Sequence, residues 1–184
     1  MLETLRYYQE TKKYVTVYRH VTSKSIQTSR GYILDVSDNF FLMQETDDFK
    51  ALGYSIFPIG HVTKLRHNRA DKYYDKIMHW ENEIDNIKIN YKVVIDSWIS
   101  IYNSLKDKKL NVIIECEDHK ISSFTIGPIA KVGKKKIYIN NFDAAGVLDE
   151  EPTAIIYTSI SKVMFDDRYI NVFSKYLRQK KVKS

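Results

Sequence analysis

Several things are scarce in this chain of 184 residues. It has one cysteine, Cys116, so neither a disulfide framework nor a cysteine metal cluster is available. Three prolines and six glycines leave no segment that reads as a Pro/Gly-rich linker. No apolar run approaches the roughly 20 residues of a membrane span. Residues 1–15 carry charged and polar positions throughout, with no apolar core followed by a small-residue cleavage site. Together these points predict a cytoplasmic protein with no membrane contact. The five histidines, His20, His61, His67, His79 and His119, form no His-x-x-x-His pair, and glycine-rich phosphate loops are missing. No metal, no cofactor and no catalytic residue is therefore assigned, and an enzyme is the less favoured reading.

What the chain does have is aromatics and an uneven charge. Fourteen tyrosines and eight phenylalanines suit core packing and half-buried strand faces, or a stacking platform. The net charge is +6, and residues 169–184 hold five basic residues and no acid. Polyanions are attracted by such an excess. The candidate polyanion-binding residues fall in three clusters: Lys64, Arg66 and Arg69; Lys131, Lys134, Lys135 and Lys136; and Lys180 and Lys181 in the tail. The acidic loops Glu45–Asp48 and Asp149–Glu151 read as solvated turns.

Alternation of apolar and polar residues predicts strands over 14–18, 31–36, 40–44, 54–57 and 61–66. A short helix over 2–9 precedes them, and a helix that Asp71 would cap follows. Apolar steps of three and four from Ile84 through Tyr91, Val94, Trp98 and Tyr102 to Leu105 predict an amphipathic helix of about six turns. Its stripe, Tyr91, Val94, Trp98 and Tyr102, is the candidate interaction surface. Strand signals resume over 110–115, 120–126, 129–132, 136–140, 153–157 and 161–165, and a last helix is expected over 168–179.

The order of elements repeats. A shift of 96 places Gly31, Ile33 and Val36 on Gly127, Ile129 and Val132, and Tyr14–Tyr18 on 110–114. Further on the shift becomes 98, with Val62 on Ile160 and Leu65 on Val163; one more residue brings Tyr74 onto Phe173. Sheets of this size bury too little unless they curl closed or pack on a helix. The sequence thus predicts two units, residues 1–80 with flanking helices and residues 81–184 with the linking helix and a C-terminal helix.

On these residues the chain resembles the Sm-like fold, a five-stranded SH3-like barrel. The resemblance is carried by Gly31-x-Ile-x-x-Val36, the Phe40–Met43 strand and Ile59–Leu65, and again by Gly127-x-Ile-x-x-Val132, 137–139 and 159–163. It implies a mainly β, α+β chain of two tandem barrels. In that family RNA is held by an acidic residue and an Asn in one loop and an Arg-Gly pair in another. Here Ser37, Phe40 and Phe41 stand in the first loop, and Ile59-Gly60 and Thr158-Ser159 in the second. The expectations are a non-catalytic scaffold or protein-interaction module that binds a protein or itself, an RNA- or polyanion-binding protein, and an enzyme with its site at the inter-barrel seam.

Overall fold

In the first half the strands Phe40–Asp47 and Lys50–Pro58 are built around apolar runs, buried on both faces over much of their length; the helix Arg69–Trp80 begins at a side-chain cap, while the helix Leu2–Thr11 has none. The computed structural model describes residues 1–22, 25–118 and 120–179. The first half runs α1 (Leu2–Thr11), β1 (Val15–Thr22), β2 (Ser25–Val36), β3 (Phe40–Asp47), β4 (Lys50–Pro58), a 3-10 turn (Ile59–His61), β5 (Val62–Arg66) and α2 (Arg69–Trp80). The second runs α3 (Trp98–Asp107), β6 (Val112–Cys116), β7 (Ser123–Gly127), β8 (Ile129–Val132), β9 (Lys136–Ile139), β10 (Thr153–Ile156), a 3-10 turn (Tyr157–Ser159), β11 (Lys162–Phe165) and α4 (Arg168–Phe173). In β1 Val15, Thr16 and Val17 are all fully buried, so both faces of the strand are covered there. The polar segment 25–30 is also strand, because it pairs with β1, although over 26–30 only Ser29 is buried.

Neither half closes into a barrel, which overturns the two tandem Sm-like units. An eight-stranded antiparallel sheet runs β5-β1-β2-β3-β4-β11-β6-β7 across both halves, beside a three-stranded sheet β10-β9-β8. The edge of β4 bonds instead to β11, matching Ile56 with Val163, Ser55 with Met164 and Tyr54 with Phe165. In the second half the chain breaks at Pro128, which has no N–H for a ladder. β7 stays in the large sheet and β8 starts the small one. The α+β composition stands; the barrel architecture does not.

The repeat itself has physical counterparts. Gly31 and Gly127 have φ of 153° and 151°. A Cβ at either would lie 2.1 Å from a carbonyl oxygen, that of Gln44 or of Asn140, themselves 96 apart. Only glycine tolerates both the angle and the approach. The two 3-10 turns are 98 apart. The first strand departs from the expected shift. Val15 faces Gly31 and Val112 faces Gly127, so β1 maps onto β6 with a shift of 97, and side chains assigned by 96 change face.

The six-turn linking helix is replaced by a 3-10 turn (Glu83–Asn86), an irregular stretch 87–97 and the ten-residue α3. Val93 and Ile95 are buried and Val94 is exposed, a period of two. The β-branched run Val93-Val94-Ile95 favours extended backbone, and helix begins only where Ser97 and Ser100 form a reciprocal cap. α2 is capped by Asn68, not Asp71; Asp71 is the third helical residue and returns a bond to the Asn68 amide. The last helix ends at Phe173, followed by a 3-10 turn (Ser174–Tyr176). Arg178 then bridges to Val147 in parallel fashion.

One core joins the halves. Phe40, Leu42, Tyr54 and Ile56 of the first pack with Ile101, Tyr102, Leu105, Val112, Ile114, Val163 and Phe165 of the second. A separate cluster of Leu5, Val15, Val17, Ile33, Phe41, Met43, Phe57 and Val62 lies within the first half. At about 25 cal/mol per Å² of apolar surface, burial of this shared core is a main term holding the halves together.

Candidate functional site: the ionic seam and the uncovered strand edges

Along β1 the inward positions Val15 and Val17 are followed by Arg19, which is 1% exposed. A buried guanidinium needs a partner, and the strand places it over the Phe57 ring at 4.3 Å. From there it donates to both oxygens of Glu117, at 2.8 and 3.1 Å. A second pair sits nearby: Lys162 Nζ lies 2.9 Å from Glu45 Oε2, which also accepts from Ser55 Oγ at 2.5 Å. Both ion pairs cross from one half to the other. Arg19 and Glu45 belong to the first, and Glu117 and Lys162 to the second.

The protonation behaviour follows from this packing. Burial would raise the Glu117 carboxyl, but the hydrogen bonds and charge of Arg19 outweigh it and hold it below the usual carboxylate range. Glu115 is pushed up, first by burial and then by Glu117 and Glu45, with Lys162 opposing. The His61 imidazole is pushed down by burial and by Arg19. An open groove of about 380 Å³ passes Glu45 and Lys162. Arg19 is engaged with Glu117 and Lys162 with Glu45, which makes the seam a fastening between halves. Nothing in the alternation of β1 except an arginine at an inward position announces it, and its acidic partner comes from 98 residues away.

The sequence-predicted basic residues that the structure describes fall on separate elements. Lys64 is exposed on β5, over the Tyr18 ring. Arg66 is consumed by Asp71 at 2.9 Å, Thr16 and the Tyr18 hydroxyl. Arg69 is exposed on α2 and lines a shallow depression of about 990 Å³ with Asn68, Ala70, Lys72, Tyr73 and Lys76. Lys131, Lys134, Lys135 and Lys136 are exposed on the β8–β9 hairpin of the small sheet. Among the described residues no hydrogen bond, ion pair or strand pairing links this hairpin to the β5–α2 cluster. Lys180 and Lys181 lie outside the described residues, while Arg178 is tied to Ala145 and Gly146. The RNA- or polyanion-binding reading, which rested on the resemblance to Sm-like barrels, is overturned with the barrels. So is the scaffold defined by two barrels and an apolar helix stripe. Tyr102 is fully buried, Trp98 packs on Phe40 at 4.7 Å, Tyr91 leans on Tyr54, and Val94 points outward.

The second feature is the strands that end the sheets. Among the described residues these are β5 and β7 in the large sheet and β10 and β8 in the small one; β5 has β1 as its strand partner and β10 has β9. The counterparts of β5 and β10 in the repeat, β11 and β4, pair with each other. Positions buried at that internal joint are uncovered at the ends: Ile56 is 0% exposed while Ala154 is exposed, and Val163 is 0% exposed while Leu65 is half-buried. Among the described residues no group of three or more His, Cys, Asp or Glu is arranged to hold a metal ion. No helix among them is long and apolar enough to cross a membrane. Compared with family models, curated proteins and solved structures, the chain matches none.

Proposed function

We propose that the protein is an assembly element that joins copies of itself head to tail, β5 of one copy pairing with β10 of the next. The observation that carries the reading is the β4–β11 joint inside the chain. It is built from the repeat counterparts of β5 and β10, two of the four strands that end the sheets among the described residues. Applying the shift of 98 to its register pairs Leu65 with Ala154 and Arg66 with Thr153. Pro152 would face His67, and having no N–H it ends the ladder there. Open edges invite this kind of addition. The contact is heterologous, so copies either close a ring or extend a filament.

In this reading residues 1–80 and 81–184 are the two units, and no catalytic step is required of either. The lone thiol Cys116, buried, supports a place in a reducing compartment such as the cytoplasm. The test is the mass in solution by light scattering and sedimentation across a wide concentration range. The expected result is concentration-dependent growth in steps of one chain. Ala154→Lys, at an exposed position, puts a charge where the internal joint buries Ile56 and should return the protein to a monomer with unchanged circular dichroism. A wild-type chain that stays monomeric up to millimolar concentration sinks the reading.

A further inference from the structure

The outer face of α2 is cationic and aromatic, and its acids are turned away. Asp71 is held inward by Arg66, Thr16 and the Asn68 amide. Asp75 accepts a hydrogen bond from the Tyr32 hydroxyl at 2.7 Å. Arg69, Lys72 and Lys76 are left exposed beside Tyr73, 58% exposed, and Trp80, 65% exposed. Steps of four, three and four align Arg69, Tyr73, Lys76 and Trp80 along one stripe. The acidic run Asp149-Glu150-Glu151 stands directly before Pro152 and β10, and Glu151 is exposed.

We infer that Glu151 of one copy docks on the α2 face of the next, against Arg69 and Lys72. The inference rests on the β5–β10 reading, because antiparallel pairing sets the residues before β10 beside those that follow β5. The internal joint displays the same neighbourhood. Just before the paired part of β4, Gly53 runs against the residues that open α4, and a Cβ there would stand 2.6 Å from Asp167 Cα. A shift of 98 turns Gly53 into Glu151. A shift of 99 turns the α4 cap, Asp167, into the α2 cap, Asn68. Each half passes from strand to cap through one residue. In the second half it is Asp166, at φ 52°; in the first it is His67, which is not among the residues of positive φ, so the backbone enters α2 along a different path. At the inner joint the close approach is backbone on backbone. At the outer joint opposite charges face each other, which makes association directional and screened by salt.

The experiment measures the association constant by sedimentation in 50 mM and 500 mM sodium chloride (arbitrary low and high salt, about 14 Å and 4 Å of screening length). The proteins are wild type, Glu151→Lys, Arg69→Glu and the double reversal. The expected result is threefold to tenfold weakening in each single variant and in wild type at high salt. The double reversal should recover most of the loss. Circular dichroism should stay unchanged, since both side chains are exposed. Association that ignores both reversals but is abolished by Ala154→Lys overturns the docking and leaves strand pairing standing. Single reversals that weaken association without recovery in the double variant overturn the Glu151–Arg69 contact. A monomer under every condition overturns both.

Discussion

Tyr102 is the residue at which packing and polarity conflict most. It is fully buried in the core shared by the halves, its ring near those of Trp98 and Tyr157. Its hydroxyl has no hydrogen-bond partner. Burial pushes its ionisation well above the usual tyrosine value, with Tyr157 and Cys116 adding to the effect, so the group stays neutral and simply goes unsatisfied. An unpaired buried hydroxyl costs about 1–3 kcal/mol. Tyr102→Phe keeps the ring and removes the cost, so it is expected to raise stability by about 1 kcal/mol, read as a higher urea midpoint at unchanged slope. A lower midpoint would mean that the hydroxyl has a partner. The spacing of Trp98, Tyr102 and Leu105 showed that this face of α3 is apolar. It could not show whether the face is covered by a partner or by this chain, because periodicity records which side is apolar and not what covers it.

At the scale of elements, α2 is fastened at its start by charge. Asn68 accepts from the Ala70 and Asp71 amides, and Asp71 returns a bond to the Asn68 amide. Burial alone would raise the Asp71 carboxyl; hydrogen bonds from Arg66, Asn68 and Thr16 overcome it, and the group sits below the usual carboxylate range. Its ionised form is therefore favoured by folding. The stability it contributes is present above the unfolded value, about 3.9, and is lost as pH falls through the lower folded value. In Asp71→Asn the acid limb of a urea-midpoint titration from pH 7 to pH 2 should be shallower than in wild type, with a lower midpoint at pH 7. An identical acid limb would remove Asp71 from the account. Short strands such as Phe40–Gln44 were legible because a short aromatic and apolar run follows directly on the turn residues Ser37, Asp38 and Asn39. The stretch 84–97 was not, because Ile84, Ile87, Tyr91 and Val94 happen to fall at helical spacing. Val93 and Ile95, the residues that are actually buried, fall at strand spacing. Both periods fit one apolar-rich run, and tertiary packing chose between them.

At the scale of the whole molecule, the sequence repeat carried the order of elements but not their pairing. Nothing in Tyr54-Ser-Ile-Phe57 marks its partner as β11 more than β5. An edge strand does not name its neighbour, and closing a barrel or continuing a sheet satisfies the same backbone groups. The choice of the continuous sheet has a thermodynamic consequence. β4–β11 pairing, two inter-half ion pairs and the shared core all break if the halves separate, exposing Ile56, Tyr54, Val163 and Phe165 at once. Unfolding should therefore be a single cooperative transition. Trp98 is the natural reporter, since its indole packs on Phe40 across the joint. The other tryptophan, Trp80, is 65% exposed and can be replaced by phenylalanine. In Trp80→Phe, tryptophan fluorescence and far-ultraviolet circular dichroism should trace superimposable urea transitions. The measurement belongs at a concentration where the chain is monomeric, so that assembly does not add to the slope. A fluorescence change that precedes the loss of secondary structure would show the joint opening while both halves persist, and the continuous sheet would then be a docking of two independent units.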